Sequence, residues 1–155
     1  MMNIGKEANK WIGKYEWHVA GTITYRRGTT EKQAERIMRN FWGRANQAIY
    51  GNAWRRFNKR IENITVFDTD AYGENPHYHI VIALPRDRFD DVKEFCKHLR
   101  EIWRKSCGNN FICEFEAIDD SEAWIGYITD KLGKHDCDNL HTHSSHIAET
   151  RSQTD

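Results

Sequence analysis

Apolar residues recur along this chain with two periods, one typical of helices and one typical of strands. Three segments place apolar residues three and four positions apart, as one helix face requires: residues 30–51, 90–105 and 119–133. Thr30 with Gln33 forms a capping-box sequence, and Gly51 and Gly133 are stop signals. The pattern therefore predicts three helices.

Four further segments are rich in Val, Ile, Thr, Phe and Tyr and predict strands: residues 21–25, 64–70, a run bounded by Pro76 and Pro85, and 110–118. Residues 71–76 read as the loop of a hairpin, because Gly, Asn and Pro favour turns. The resulting order is strand, helix, strand, strand, helix, strand, helix. It predicts an α+β fold in which helices cover one face of an antiparallel sheet.

Composition fits a single domain over residues 1–134. The chain has 155 residues and 39% hydrophobic content, enough for one core, and its two prolines leave little room for a linker. Residues 135–155 are nearly devoid of large apolar side chains, so we expect a mobile polar tail. That tail contains His135, Cys137, His141, His143 and His146. A zinc site there is the less favoured alternative, because the spacing matches no defined finger.

The first residues contain no apolar signal-peptide core, and no apolar run approaches the roughly 18 residues of a membrane helix. We therefore expect a cytoplasmic protein with no membrane partner. Four cysteines without CxxC spacing predict reduced thiols.

Charge is distributed unevenly although the net charge is zero. Residues 1–60 carry 13 Lys and Arg against 4 Asp and Glu, whereas residues 61–155 carry 10 against 19. This asymmetry favours a polyanion contact in the first part. The candidate nucleic-acid-binding residues combine cations with an aromatic ring: Arg26, Arg27, Trp54, Arg55, Arg56, Lys59 and Arg60. The alternative is a solvated helix or loop whose aromatic side chains face the core.

His77 and His79 are the most informative pair in the sequence. On a strand, residues i and i+2 point to the same face, so both imidazoles leave one surface about 7 Å apart at their Cα atoms. That separation suits two nitrogens converging on one cation. The alternative is two hydrogen-bonded histidines without a metal.

The preceding predicted strand ends in two acids, Asp68 and Asp70. Antiparallel pairing places one of them beside the histidines, and two imidazoles with one carboxylate suit a catalytic metal with open positions. Asp68 is the first choice and Asp70 the fallback. Solvation of a turn by both acids is the alternative.

Tyr127 and Lys131 are four residues apart on the last predicted helix, on a face other than the stripe of Trp124, Ile128 and Leu132. Tyr127 could face a ligand while Lys131 holds a phosphate beside it. An ordinary half-buried tyrosine with a solvated lysine is the alternative.

Taken in order, three segments resemble the motifs of the HUH endonucleases, and among them the rolling-circle replication initiators of phages and plasmids. The segments are Gly21-Thr22-Ile23-Thr24-Tyr25, His77-Tyr78-His79 preceded by Pro76, and Tyr127 followed by Lys131. The resemblance extends from about Val19 to Lys134. It implies a ferredoxin-like or RRM-like core with the histidines on a central strand.

The resemblance also implies cleavage and rejoining of single-stranded or origin-hairpin DNA with Mg²⁺ or Mn²⁺. In such enzymes the tyrosine attacks phosphorus, leaving a 5′-phosphotyrosine and a free 3′ hydroxyl. A phenol with an ordinary pKa near ~10 needs a cationic neighbour to react at neutral pH, which a metal and Lys131 would provide. Candidate partners are host helicase and replication proteins in the cytoplasm of the host cell.

Two features depart from the family pattern. Many relatives use Glu as the third ligand, whereas this chain offers Asp68 or Asp70. No second tyrosine follows in the helix of Tyr127, so a full replication cycle would need a second protomer, as in a homodimer, or another acceptor.

Two other functions compete with a replication initiator. A single-tyrosine HUH transposase would have similar length and chemistry, but the long basic segment and Lys131 favour the initiator. An RRM-like nucleic-acid binder without catalysis would need aromatic residues where His77 and His79 stand.

Overall fold

The computed structural model describes residues 4–69, 76–107, 112–134, 140 and 145–147. Within these ranges the elements follow in chain order as α1 Ile4–Gly13, β1 Val19–Thr24, α2 Glu31–Tyr50, α3 Asn52–Phe57, β2 Asn63–Asp68, β3 His77–Ile82, α4 Val92–Cys107, β4 Ile112–Ala117 and α5 Ser121–Lys134. The α+β order predicted from the sequence is confirmed. Helices α1 and α3 are additions that the sequence pattern did not predict.

The four strands form one antiparallel sheet in the order β2-β3-β1-β4. Such a sheet with helices packed against it is compatible with a ferredoxin-like fold. Strand β3, which carries both histidines, lies between β2 and β1. Strand β2 ends at Asp68, two residues before the predicted end.

One sheet face packs against α2 and α4. Phe41, Trp42, Phe95 and Trp103 from these helices are buried there with Ile80 of β3. Gly21 of β1 is required in this layer, because a Cβ at that position would lie 2.8 Å from a ring carbon of Phe115. The apolar residues on this face of the strands thus pack against the apolar faces of α2 and α4.

The opposite face is also covered, so the prediction of helices on one face only was wrong. Helices α1 and α5 pack together and bury Ile12, Ile125 and Ile128 against Ile64 and Val81 of β2 and β3. The physical reason is that β2 and β3 carry apolar residues at both odd and even positions, so both faces must be buried.

Side-chain caps determine where the helices begin. Thr30 accepts a hydrogen bond from the Gln33 backbone N–H at 3.1 Å, and Gln33 Oε1 accepts one from the Thr30 N–H at 2.9 Å, which confirms the capping box. Asp91 Oδ1 accepts from Lys93 N at 3.0 Å, so α4 begins after Asp91 rather than at Asp90.

Part of the predicted tail lies along the edge strand β2. Asn63 and His146 exchange two backbone hydrogen bonds of 2.9 Å, and Thr65 N donates to Ser145 Oγ at 2.9 Å. Leu140 forms a bridge with Val66 and packs, with Ile147, against the core under α1 and α5. Other residues of 135–155 lie outside the described residues, and mobility of the tail stays a prediction.

Candidate metal centre

Asp68, His77 and His79 meet at one end of the sheet, on the face covered by α1 and α5. The register pairs Asp68 with His77 directly across β2 and β3, and His79 follows two residues later on the same face. Asp68 Oδ2 lies 3.4 Å from His77 Nε2 and 3.9 Å from His79 Nε2. One ligand atom from each residue lies within 4.8 Å of the other two, so the three side chains form a cluster that could hold a metal ion.

The protonation states in this cluster suit metal binding. Burial, with the neighbouring His77, lowers the pKa of His79 from 6.5 to about 4, so its imidazole is neutral near pH 7. A neutral imidazole has a free lone pair for a cation. Burial alone would raise the pKa of Asp68, but a hydrogen bond and the charge of Lys131 outweigh it and hold that pKa below its usual value. Asp68 is therefore a carboxylate.

The residues present could bind a metal ion. Two imidazoles and one carboxylate are common metal ligands in proteins, and three protein ligands do not fill the coordination shell of a metal ion. His79 Nδ1 is buried and has no hydrogen-bond partner among the described residues. Its other ring nitrogen, Nε2, is the one that faces Asp68.

Tyr127 and Lys131 of α5 lie beside this cluster. The Tyr127 hydroxyl is 3.4 Å from His79 Nε2, and the Tyr127 ring meets the His79 ring edge-on with centroids 4.8 Å apart. Lys131 Nζ is 3.0 Å from Asp68 Oδ2 and 5.3 Å from the Tyr127 ring centroid. That hydrogen bond to Asp68 raises the pKa of Lys131, so the ammonium stays charged at neutral pH.

The placement of α5 depends on Ile128, which belongs to the predicted apolar stripe, and on Ile125, Asn9 and Thr129, which the sequence analysis did not single out. Ile125 and Ile128 are buried against the sheet, which turns Tyr127 toward the cluster with 44% of its surface exposed. Asn9 of α1 donates to Thr129 Oγ1 at 3.2 Å and joins the two helices. Asn9 belongs to α1, Ile4–Gly13, which the sequence pattern did not predict.

In the part of the chain that the structure describes, the sheet face beside the cluster is partly exposed along β1 and exposed at β4. Thr22 of β1 pairs with His79, and Thr24 pairs with His77. On the other side of β1, Thr22 pairs with Glu114 of β4 and Thr24 pairs with Ile112. Ile112 is 64% exposed, and Glu114 is exposed as well. This exposed area gives a ligand access to the cluster.

The predicted nucleic-acid-binding residues fall into two groups. Arg26 and Arg27 follow β1 at the sheet end that carries Asp68 and His77, since Thr24 pairs with His77. The second group lies in α3 and in the segment between α3 and β2, which begins at Asn63. Its members are Trp54, Arg55, Arg56, Lys59 and Arg60. Asp68 comes five positions after Asn63 on β2, which is roughly 16 Å of strand. The structure does not bring this second group to the cluster.

Contacts within the second group are partly structural. Lys59 forms an ion pair with Asp87, and Arg60 Nε donates to Asn58 Oδ1 at 2.8 Å. Trp54 is half-buried against the core that contains α2. This agrees with the alternative given above, in which the aromatic side chain faces the core. The side chains of Arg55 and Arg56 are exposed.

Other predicted ligands are placed as follows. Asp70 and the tail residues His135, Cys137, His141 and His143 lie outside the described residues. Cys96, Cys107 and Cys113 are free thiols, as predicted for three of the four cysteines. Within the described ranges, no helix combines the length and the apolar character needed to cross a membrane.

Comparisons with protein-family models, with curated proteins and with solved structures gave no match to this chain. The resemblance to HUH endonucleases therefore continues to depend on the three motifs and on the residues just described.

Proposed function

We propose that this protein is a metal-dependent, site-specific single-strand DNA nickase and strand transferase that acts through a 5′-phosphotyrosine intermediate and initiates rolling-circle replication. One observation carries the proposal. The hydroxyl of Tyr127, a partly exposed residue, lies 3.4 Å from a nitrogen of a His-His-Asp cluster, and the hydroxyl and the cluster come from elements far apart in sequence.

Asp68, His77 and His79 would hold the cation in this proposal. A bound Mg²⁺ or Mn²⁺ would polarise a phosphate oxygen and favour the phenolate. His79 Nε2 cannot hold the cation and also accept the phenol proton. The proposal assigns Nε2 to the cation, and the proton of Tyr127 leaves to water, which reaches the exposed part of its side chain.

In the chemical step, the Tyr127 oxygen attacks phosphorus, a P–O bond to the tyrosine forms, and the bond to the 3′ oxygen breaks. The 3′ oxygen takes a proton from water and becomes a hydroxyl. Because Lys131 remains an ammonium, it acts as a positive charge beside the phosphate and the phenolate rather than as a base. The covalent link retains the phosphodiester energy, so rejoining needs no nucleotide cofactor.

Features of the sheet argue against the RRM-like binder. Such a domain stacks bases on aromatic residues of an open sheet face. Here α1 and α5 cover that face over β2 and β3, and its part over β1 and β4 carries Thr22, Thr24, Ile112 and Glu114. None of these four side chains is aromatic.

A single-tyrosine transposase remains the second proposal for the biological role, because the cleavage chemistry would be the same. A strand-exchange assay tests the shared chemistry. Two oligonucleotides of different lengths, each carrying a sequence that forms an adduct when selected from a random single-stranded pool, are incubated with the protein and Mn²⁺ without a nucleotide. We expect recombinant strands with the wild type and none with Tyr127→Phe. Recombinant strands from the Phe variant would contradict the proposed chemistry.

A further inference from the structure

A cavity of about 320 Å³ lies between the β1–α2 turn and the first turns of α2. Arg26, Arg27 and Arg36 line this cavity, together with the polar residues Thr29 and Gln33. Among the described lining residues there is no carboxylate. The volume is within the range of sites for small ligands.

Hydrogen bonds hold the wall of this cavity in place. Thr29 N donates to Arg26 O at 3.1 Å and closes the turn, in which Gly28 has φ of 89°, a conformation that favours glycine. The Thr30 capping box then fixes the turn to the helix. Since Gln33 Oε1 accepts from Thr30 N, the Nε2 end of the same carboxamide can donate to a ligand.

The charge of the cavity favours a phosphate. Three arginines around one space favour an anionic ligand over a neutral or cationic one. Arg presents paired N–H donors that match two phosphate oxygens. On the same helix, Glu35 is paired with Arg39 at 3.4 Å and is not among the lining residues.

The cavity lies at the sheet end that carries the metal cluster. Thr24 of β1 pairs with His77, and Tyr25 N donates to Pro76 O at 3.1 Å. Arg26 comes two residues after Thr24, or roughly 7 Å along the chain. Helix α2 packs on the sheet face opposite the cluster, so a strand that reaches both places passes around this end of the sheet.

We propose that the Arg26–Arg27–Arg36 cavity binds a backbone phosphate of the same single strand whose scissile phosphate lies at Tyr127. The identity of the strand rests on the proposed function, whereas phosphate binding does not. The two contacts together would fix the register of the strand at the cluster, because phosphate contacts position a nucleic acid without reading its sequence.

Equilibrium binding of a fluorescein-labelled 12-nucleotide single strand, measured in EDTA at several salt concentrations, tests this proposal. The variants are Arg36→Gln, Arg36→Lys and the double variant Arg26→Gln/Arg27→Gln. Arg39→Gln is the matched control, because it removes the same charge from the same helix but lies outside the cavity. Melting temperature confirms that each variant is folded.

For Arg36→Gln and for the double variant we expect about tenfold weaker binding and a salt slope smaller by about 0.7 for each lost phosphate contact. Arg36→Lys should keep part of the affinity, and Arg39→Gln should match the wild type. Equal effects of Arg36→Gln and Arg39→Gln would overturn the proposal. Thymidine monophosphate that binds as tightly as the strand would also overturn it, in favour of a free nucleotide.

Failure of this proposal and failure of the proposed function are distinguishable. If the wild type forms a covalent DNA adduct and the cavity variants bind DNA like the control, the cavity proposal is wrong and the proposed nuclease function stands. If the wild type forms no adduct and the cavity variants lose binding, the phosphate site stands and the proposed nuclease function is wrong.

Discussion

The hydroxyl of Tyr127 lies 3.4 Å from Nε2 of His79, although 48 residues separate the two in sequence. Each side chain is held by its own element, His79 by the central strand β3 and Tyr127 by α5. Burial of Ile125 and Ile128 fixes α5 against β2 and β3, so the meeting of the two side chains follows from the packing of the core.

The first prediction concerns the metal ligands. The double variant His77→Ala/His79→Ala should stay folded but lose measurable Mn²⁺ binding, because a lone carboxylate holds a divalent ion weakly in water. Asp68→Ala should weaken Mn²⁺ binding more than Asp70→Ala, since Asp68 pairs with His77. Calorimetric titration measures both. Wild-type affinity in the double histidine variant would end the metal assignment.

The second prediction concerns Lys131, whose ammonium shares Asp68 Oδ2 with any bound cation. Lys131→Met should bind Mn²⁺ about tenfold more tightly, because a nearby positive charge is removed. Adduct formation should nevertheless slow by about a hundredfold, because charge stabilisation at the phosphate is lost. Lys97→Met, an exposed lysine of α4, is the control and should change neither. Weaker metal binding by Lys131→Met would contradict the argument.

The third prediction follows from the lowered pKa of His79. Its pKa falls from 6.5 to about 4 on folding, so the unfolded chain binds the extra proton between these values and stability decreases as pH falls through this window. Between pH 7 and pH 5 the metal-free protein should lose about 2 kcal/mol from this group. Urea unfolding at both values measures the loss.

His79→Gln removes the titrating group and is the comparison for that experiment. The lowered pKa of Asp68 acts in the same direction but only near and below its usual value of 3.8. Wild type and His79→Gln should therefore differ in their pH dependence above pH 5. Equal losses in the two proteins would contradict the assignment of this pH dependence to His79.

The fourth prediction concerns residues 135–155. Their removal takes Leu140 and Ile147 from the core and leaves the edge of β2 without the two Asn63–His146 hydrogen bonds. We expect a loss of about 2 kcal/mol of stability and self-association at high concentration, because an unpaired edge strand pairs with other chains. Sedimentation and urea unfolding measure these effects.

Leu140→Ser in the full chain is the finer test, since it removes only the apolar contact. It should cost about 1 kcal/mol, because Leu140 is half-buried, and it should leave the oligomeric state of the wild type unchanged, because the hydrogen bonds of His146 still cover the edge. Unchanged stability in both variants would show that the segment adds nothing to the fold.

Local patterns predicted most of the fold. The periodicity of α2, α4 and α5 and the β-branched runs of β2 and β3 placed these elements within about two residues, because burial of one face imposes those periods. The sequence predicted that Asp68, or Asp70 as the fallback, would lie beside the histidines, and the strand register pairs Asp68 with His77.

Long-range contacts explain what the sequence did not predict. Helix α1 packs against α5, which lies more than a hundred residues later in the sequence, as the Asn9–Thr129 hydrogen bond illustrates. Local sequence patterns do not reveal a packing partner at that distance. The cavity at Arg36 was missed for a similar reason. Arg36 lies on a helix face, Arg26 and Arg27 lie in a turn, and only the folding of that turn against α2 brings them together.

The most direct test of the central claim is a search for the covalent intermediate. The wild type is incubated with Mn²⁺ and a 5′-phosphorylated random single-stranded DNA pool labelled at its 3′ end, and denatured products are analysed by gel and by mass spectrometry of the linked peptide. We predict a DNA adduct on Tyr127, absent with Tyr127→Phe and with EDTA. No adduct, or an adduct of equal yield on another residue in the Phe variant, would contradict the account.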